Sequence, residues 1–184
     1  GNIGQAISAH FKALEFKPSY RAAHSNLLLA MHYHSQYSAE TIFNESKNWW
    51  HCHGAPVAGV FSHTNVPDAA RRLKVGYVSA DFRQHSVSYF FLPLLRAHDR
   101  DQVEVYCYSG VKSPDHMTSR IEGLADHWRS MVGIRDEAVA KQIYGDGIDI
   151  LVDLAGHTAG HRLLVFARKP APVQVSWLGD PNTT

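Results

Sequence analysis

Only two of the 184 residues are cysteine, Cys52 and Cys107. That is too few for the disulfide framework of a small secreted scaffold, and Cys107 sits inside a strand-like apolar run, so both are read as reduced. No run approaches the roughly 18 consecutive apolar residues of a membrane span. The opening Gly1-Asn2-Ile3-Gly4 has neither a charged n-region nor an apolar h-region. A soluble protein at a cytoplasmic address, with no membrane partner, is the expectation. An excess of one charge is lacking too. Lys+Arg number 18 against 17 Asp+Glu, a net charge of +1, which gives no electrostatic reason to expect nucleic acid as a partner. Also missing are a G-x-G-x-x-G after a strand and a G-x-x-x-x-G-K-[ST], which argues against a dinucleotide dehydrogenase and a P-loop NTPase.

Histidine, by contrast, is plentiful at 13 residues. His51-Cys52-His53 has ligand-type side chains, but ligands at i and i+2 suit a strand or loop, and no second Cys or His pair follows at finger spacing. The segment is read as a solvated loop, with no metal and no cofactor. At 45% hydrophobic and 19% charged, the chain has material for one well-packed domain and a smaller appendage. Its start without Met and its end at Pro181-Asn182-Thr183-Thr184 lead to the expectation of a piece of a longer chain.

The periodicity divides the chain into 1–36, 37–72 and 73–184. In the first part Ile7, Phe11 and Leu14, with Ala6, Ala9 and Ala13, recur at helical spacing up to Lys17-Pro18, and Tyr20 to His32 repeats the pattern. The spacing from Gly4 through Phe11 and Leu14 to Pro18 resembles the second helix of a tetratricopeptide repeat. A lone half-repeat cannot bury its own face, so a repeat array upstream is expected. In the second part Ser38 opens a helix running to Trp50, followed by a polar linker from His51 to Asp68. From Leu73 onward short apolar runs alternate with amphipathic segments. Strands are predicted at Leu73 to Ser79, Val103 to Ser109, Ile148 to Leu154 and Val173 to Leu178, with a weaker one at Trp128 to Met131. Helices are predicted at Val87 to Ala97, Met117 to Leu124, Asp136 to Tyr144 and about Gly160 to Ala167. This alternation predicts an α/β fold with a Rossmann-like parallel sheet covered on both faces.

Open α/β sheets bind ligands at the carboxyl ends of their strands. Asp81 to Tyr89, after the first strand, is therefore the leading active-site segment. His85 immediately precedes the Ser86-Val87-Ser88 helix start, where the positive end of the helix dipole favours a neutral imidazole able to take a proton or hydrogen-bond a substrate. Asp81, four residues earlier, is placed to orient it. A helix cap is the plainer reading of His85. Gly156-His157-Thr158 offers an exposed backbone and a hydroxyl for phosphate or sugar contacts, although Thr158 would serve equally as a helix cap.

The run Leu73-Lys-Val-Gly-Tyr-Val-Ser-Ala-Asp-Phe82 followed by His85-Ser-Val-Ser-Tyr-Phe90 closely resembles the start of the catalytic region of the O-GlcNAc transferase and SPINDLY family. Asp146 to Asp153, Gly156-His-Thr158 and Arg168-Lys-Pro-Ala-Pro-Val-Gln-Val-Ser-Trp-Leu-Gly179 extend the resemblance in the same order. The family implies a GT-B catalytic region made of two Rossmann-like halves preceded by tetratricopeptide repeats, of which 73–184 resembles the first half. It implies transfer of GlcNAc from UDP-GlcNAc to Ser or Thr hydroxyls of proteins, inverting and without a metal.

By this resemblance the catalytic residues are His85 and Asp81. Donor and acceptor contacts fall to His24, Gln84, Ser86, Tyr89, His157, Thr158, Leu178, Gly179 and Pro181. Protein substrates would reach the site through the repeat array, whose exposed faces leave oligomerisation open. Asp180 departs from the family, which usually has Tyr there, and a carboxylate facing a diphosphate would oppose donor binding. The wording His85-Ser86-Val87-Ser88-Tyr89 is closer to SPINDLY, whose plant members use GDP-fucose, so protein O-fucosylation is the alternative activity. A repeat scaffold carrying a degenerate transferase half is the non-enzymatic alternative.

Overall fold

The computed structural model describes residues 2–68 and 70–179. Helix α1 spans Ile3–Phe16 and starts where the Asn2 side chain accepts the Gln5 N–H at 3.2 Å. Helix α2 spans Arg21–His32, and α3 spans Ala39–Trp49 behind Ser38, whose hydroxyl accepts the Thr41 N–H at 3.1 Å. The apolar stripes meet in a small core of Ile7, Leu27, Leu28, Met31, Ile42 and Trp49, closed by Leu163 from the sheet region. Phe16 and Tyr33 remain exposed.

After α3 the structure departs from the expected open linker. The backbone stays helical through a widened π-type turn, Trp50–Gly54, and a 3₁₀ turn, Ala55–Val57. The Trp50 ring occupies the space a Cβ at residue 54 would need, so Gly54 lets the chain pass beneath the indole. His53 is consequently buried rather than solvated.

The remainder alternates β1 (Leu73–Ser79), α4 (Ser86–Ala97), β2 (Val103–Ser109), α5 (His116–Glu122), β3 (His127–Ser130), α6 (Asp136–Asp146), β4 (Ile150–Asp153), α7 (Leu163–Ala167) and β5 (Val173–Ser176). All neighbouring strands are parallel, in the order β3-β2-β1-β4-β5. Alternate residues serve two cores. Val75, Tyr77, Val105 and Cys107 pack against Phe91 and Leu95 of α4 and Ile121 of α5. On the other face Tyr106, Tyr108 and Leu151 pack against Val139 and Ile143 of α6 and Val165 of α7. Burial on both faces explains why β1 and β2 read as continuous apolar runs. β4 begins two residues later than its apolar run predicts and stops at Asp153, whose carboxylate turns onto the following loop, and β5 stops short of Leu178, which adopts φ 61°. No helix among the described residues is long and apolar enough to cross a membrane.

The strand order reverses between β1 and β4, since α4 and α5 leave on one face while α6 and α7 lie on the other. The helices that follow these two strands therefore leave toward opposite faces, the arrangement at whose carboxyl edge open α/β sheets bind ligands. At the opposite edge, the buried Asp149 receives Arg71 at 2.8 Å, the Asn65 amide at 2.6 Å and the Lys74 N–H at 2.9 Å. Burial opposes its charge, but the hydrogen bonds from Arg71, Lys74 and Asn65 hold the carboxyl below its ordinary value. Asp149 thus contributes stability above the unfolded value of 3.8, and that contribution is lost as pH falls through the lower folded value. Asp149→Ala is expected to lower the unfolding free energy by about 2–3 kcal/mol, read as a lower urea midpoint. An unchanged midpoint would show that the anchor is dispensable.

Candidate active site

The loop after β1 is pinned at both ends. The Ser79 hydroxyl accepts the Asp81 N–H at 2.9 Å, and the Ser88 hydroxyl donates to the Asp81 carbonyl at 2.7 Å. Its exit is the N-cap of α4, where His85 Nδ1 accepts the Val87 N–H at 3.3 Å. That hydrogen bond revises the expected Asp81–His85 pairing. A ring nitrogen accepting an N–H has no proton to offer a carboxylate, and Asp81 Oδ2 lies 3.9 Å from His85 Nδ1. Asp81 Oδ1 instead takes Arg83 at 3.1 Å. Gln84, Ser86 and Tyr89 are exposed around the start of α4. The Gln84 N–H donates to Asp115 at 2.7 Å, which ties this loop to the N-terminus of α5.

The loop after β4 corrects a second expectation. Gly156 and His157 are buried, so the backbone of Gly156-His157-Thr158 is not free for a ligand, and the Thr158 hydroxyl donates to the Ala155 carbonyl at 2.8 Å. The loop is wedged between its neighbours. At Gly160 (φ 80°) a Cβ would lie 2.7 Å from Ala80 Cβ. At Gly179 (φ 73°) a Cβ would lie 2.7 Å from the Leu154 and Ala155 carbonyl oxygens. Leu178 packs against the core that includes Phe82, Val87 and Leu154. Leu178 and Gly179 are thereby drawn to the edge where β1 and β4 end, while Pro181 and Asp180 lie outside the described residues.

His24 and His157 sit deeper, in a seam between the helical segment and the sheet. The Ser25 hydroxyl is its hub, 3.0 Å from Trp49 Nε1, 3.1 Å from His161 Nε2 and 3.3 Å from His157 Nδ1. His24 places Nδ1 3.1 Å from His53 Nε2 and Nε2 2.8 Å from Glu45. Nearby, Asp136 at the start of α6 binds Arg21 of α2 at 3.1 Å and Arg162 at 2.8 Å. Between seam and β1 lies a crevice of about 540 Å³, whose walls include Arg21, Asp81, Arg83, Lys112, Gly160 and Arg162.

Sequence reasoning picked out His24, His85 and His157 but missed Ser25, Glu45, Trp49, Arg83 and Lys112. No local pattern marks the first three, because their partners are brought together by tertiary folding. Arg83 and Lys112 had one usable signal, their position just after strands β1 and β2. Among the described residues, no group of three or more His, Cys, Asp or Glu side chains is arranged to hold a metal ion.

The seam fixes a pH response. Burial, reinforced by repulsion from His161 and His24, pushes His157 down to about 3, while burial and Arg21 push His161 down to about 4. Folded, both are neutral at pH 7, whereas in the unfolded chain they protonate near 6.5. Below that pH the unfolded state takes up protons the folded state refuses, so stability falls until the folded values are reached. Each group contributes up to about 1.4 kcal/mol per pH unit. The urea midpoint is expected to fall steeply from pH 6.5 to about pH 4.5, with a shallower slope in His157→Gln and His161→Gln. Slopes equal to the parent's in both variants would remove the seam as the cause.

The profile of the family described as Glycosyl transferase family 41 matches residues 52–184. A protein of Hordeum vulgare named as a probable UDP-N-acetylglucosamine–peptide N-acetylglucosaminyltransferase SPINDLY is 40% identical over 92% of this chain. The corresponding protein of Caenorhabditis elegans, named UDP-N-acetylglucosamine–peptide N-acetylglucosaminyltransferase, is 39% identical over 62% of it. Among solved structures, the K341M mutant of Thermobaculum terrenum O-GlcNAc transferase aligns with a TM-score of 0.93 at 42% identity, over 97% of this chain. The aligned region makes up 18% of the barley protein, 10% of the nematode protein and 34% of the solved chain.

Proposed function

This chain belongs to glycosyl transferase family 41, and from that premise we propose that the polypeptide carrying it is a protein O-GlcNAc transferase. In this reading GlcNAc passes from UDP-GlcNAc to Ser or Thr hydroxyls of proteins, with the nucleotide sugar as the only small molecule required. The observation that carries it is the match, along nearly the whole chain, to a solved O-GlcNAc transferase. In support, the loops after β1 and β4, both part of the family resemblance, contribute Asp81, Arg83 and Gly160 to the crevice walls, and Leu178 packs beside them against Phe82 and Leu154. The acceptor oxygen bonds to the anomeric carbon as the bond to the diphosphate breaks, and configuration inverts. The hydroxyl proton is taken up by a base or by water, and the nucleoside diphosphate leaves with the bonding electrons. In the proposed reaction cationic groups and helix ends, rather than a metal, balance that charge.

The cap geometry refines the part played by His85. Because Nδ1 accepts the Val87 N–H, the ring proton is left to Nε2, which makes that nitrogen a donor. His85 therefore acts by hydrogen-bonding the sugar or acceptor. A base role would first require the cap to open. His85→Ala in the complete polypeptide is expected to cut transfer about 100-fold, with His85→Gln, which keeps a donor amide, recovering most of the loss. If Gln is as damaging as Ala, the histidine is the base after all.

The relatives are several times longer than this chain, and we place the remaining nucleotide contacts in a second Rossmann-like half outside these residues. Residues 1–184 alone are then expected to show no sugar transfer, and measurable turnover by them would overturn that division. Protein substrates are proposed to arrive along helical repeats stacked on α1, whose Phe11 and Phe16 are exposed, repeats that would also provide for self-association. The setting is taken to be the cytoplasm. A second reading, O-fucosyl transfer from GDP-fucose, is favoured by the SPINDLY-like loop His85 to Tyr89. Assaying the complete polypeptide with both donors side by side separates the two, and turnover with neither would leave a scaffold.

A further inference from the structure

Asp153 ends β4 and is only 2% exposed. Its carboxylate is fully engaged by two different loops. Oδ1 accepts the Ala155 N–H at 3.1 Å, while Oδ2 accepts the Gly156 N–H at 2.8 Å and the Ser176 hydroxyl at 3.3 Å. Its backbone carbonyl also takes the Trp177 N–H at 2.9 Å. One residue thus shapes the turn at Ala155-Gly156 and fastens it to the end of β5, directly before Leu178 and Gly179. The same two segments touch again where Gly179 lies against the Leu154 and Ala155 carbonyls. Nothing in that contact is chemical; it is a fit, and it holds only while the turn keeps its shape.

We propose that Asp153 is a positioning residue that sets the donor-sugar wall by locking the 154–160 loop to residues 177–179. This rests on the function proposed above and on the family resemblance that gives Leu178 and Gly179 to the donor. Asp153 touches no substrate and acts through the backbone it holds. A carboxylate is required because both oxygens must accept. In Asp153→Asn one of the two N–H groups, Ala155 or Gly156, meets an amide NH₂ instead of an acceptor, and the turn must shift. The nucleotide base and diphosphate, held elsewhere, do not sense the change.

The test compares the complete polypeptide with its Asp153→Asn and Ser176→Ala forms, the second removing one exposed hydroxyl donor and serving if the first fails to fold. Binding of UDP-GlcNAc and of UDP is measured by calorimetry, repeated with GDP-fucose and GDP, alongside hydrogen exchange of the backbone amides. Expected is faster exchange in both the 154–160 and 177–179 segments. Affinity for the sugar nucleotide should fall about tenfold in Asp153→Asn and less in Ser176→Ala, with affinity for the bare nucleotide unchanged. Equal losses for sugar nucleotide and nucleotide, or a lower melting temperature with unchanged binding, would reduce Asp153 to a structural residue and overturn the proposal. A parent that binds neither sugar nucleotide would defeat the transferase reading instead. In that case exchange confined to a single loop would separately disprove the lock.

Discussion

Two neighbouring strands, β1 and β4, send their crossover helices to opposite faces of the sheet, and the rest of the molecule is arranged around that divergence. Right-handed crossovers leave no other way to build the order β3-β2-β1-β4-β5 from a chain that runs β1, β2, β3 and then returns. The return places the loop after β4 beside the loop after β1, and their backbones approach closely enough that Gly160 meets Ala80. Among the described residues, the side chains discussed as candidates for chemistry stand on these loops, flank them or brace them from behind.

The helical segment does the bracing, through polar as well as apolar contact. Its own core is modest and reaches the sheet region mainly through Leu163. Further contacts join the parts: a hydrogen-bonded knot on Ser25, the Trp49 ring edge-on to His157 and His161, and the shared carboxylate of Asp136. Such contacts are directional, so they fix the angle at which α2 and α3 meet the sheet, something a slippery apolar interface would leave freer. The cost is that His157 and His161 are kept away from water and stay uncharged at neutral pH.

Much of this was legible in the sequence, and the parts that were not share a cause. β1 and β2 fall where their apolar runs place them, because burial on both faces leaves a signal needing no knowledge of neighbours. The cap at His85 was equally visible, since a cap is made by residues two or three positions apart. The Asp81–His85 pairing failed for a local reason as well: two partners competed for one nitrogen, and spacing alone cannot rank them. The stretch after α3 was misread because His, Cys and Gly look like a linker until the Trp50 ring is seen covering Gly54. His24 and His157 carried no local sign of burial, because their partners lie 29 and 132 positions away. Family resemblance pointed to these histidines, and the structure places them behind the crevice wall.

The two glycines wedged at the carboxyl edge have a consequence for how such a site can change over evolutionary time. Gly160 and Gly179 carry no reactive group, yet each has its missing side chain's volume already filled, by Ala80 in one case and by the Leu154 and Ala155 carbonyls in the other. Both also hold a left-handed backbone that other residues adopt at a cost. A mutational survey scored on activity would rank these inert positions beside the histidine, and a reader seeking reactive groups would find none there. At this edge, the absence of atoms is itself a structural requirement.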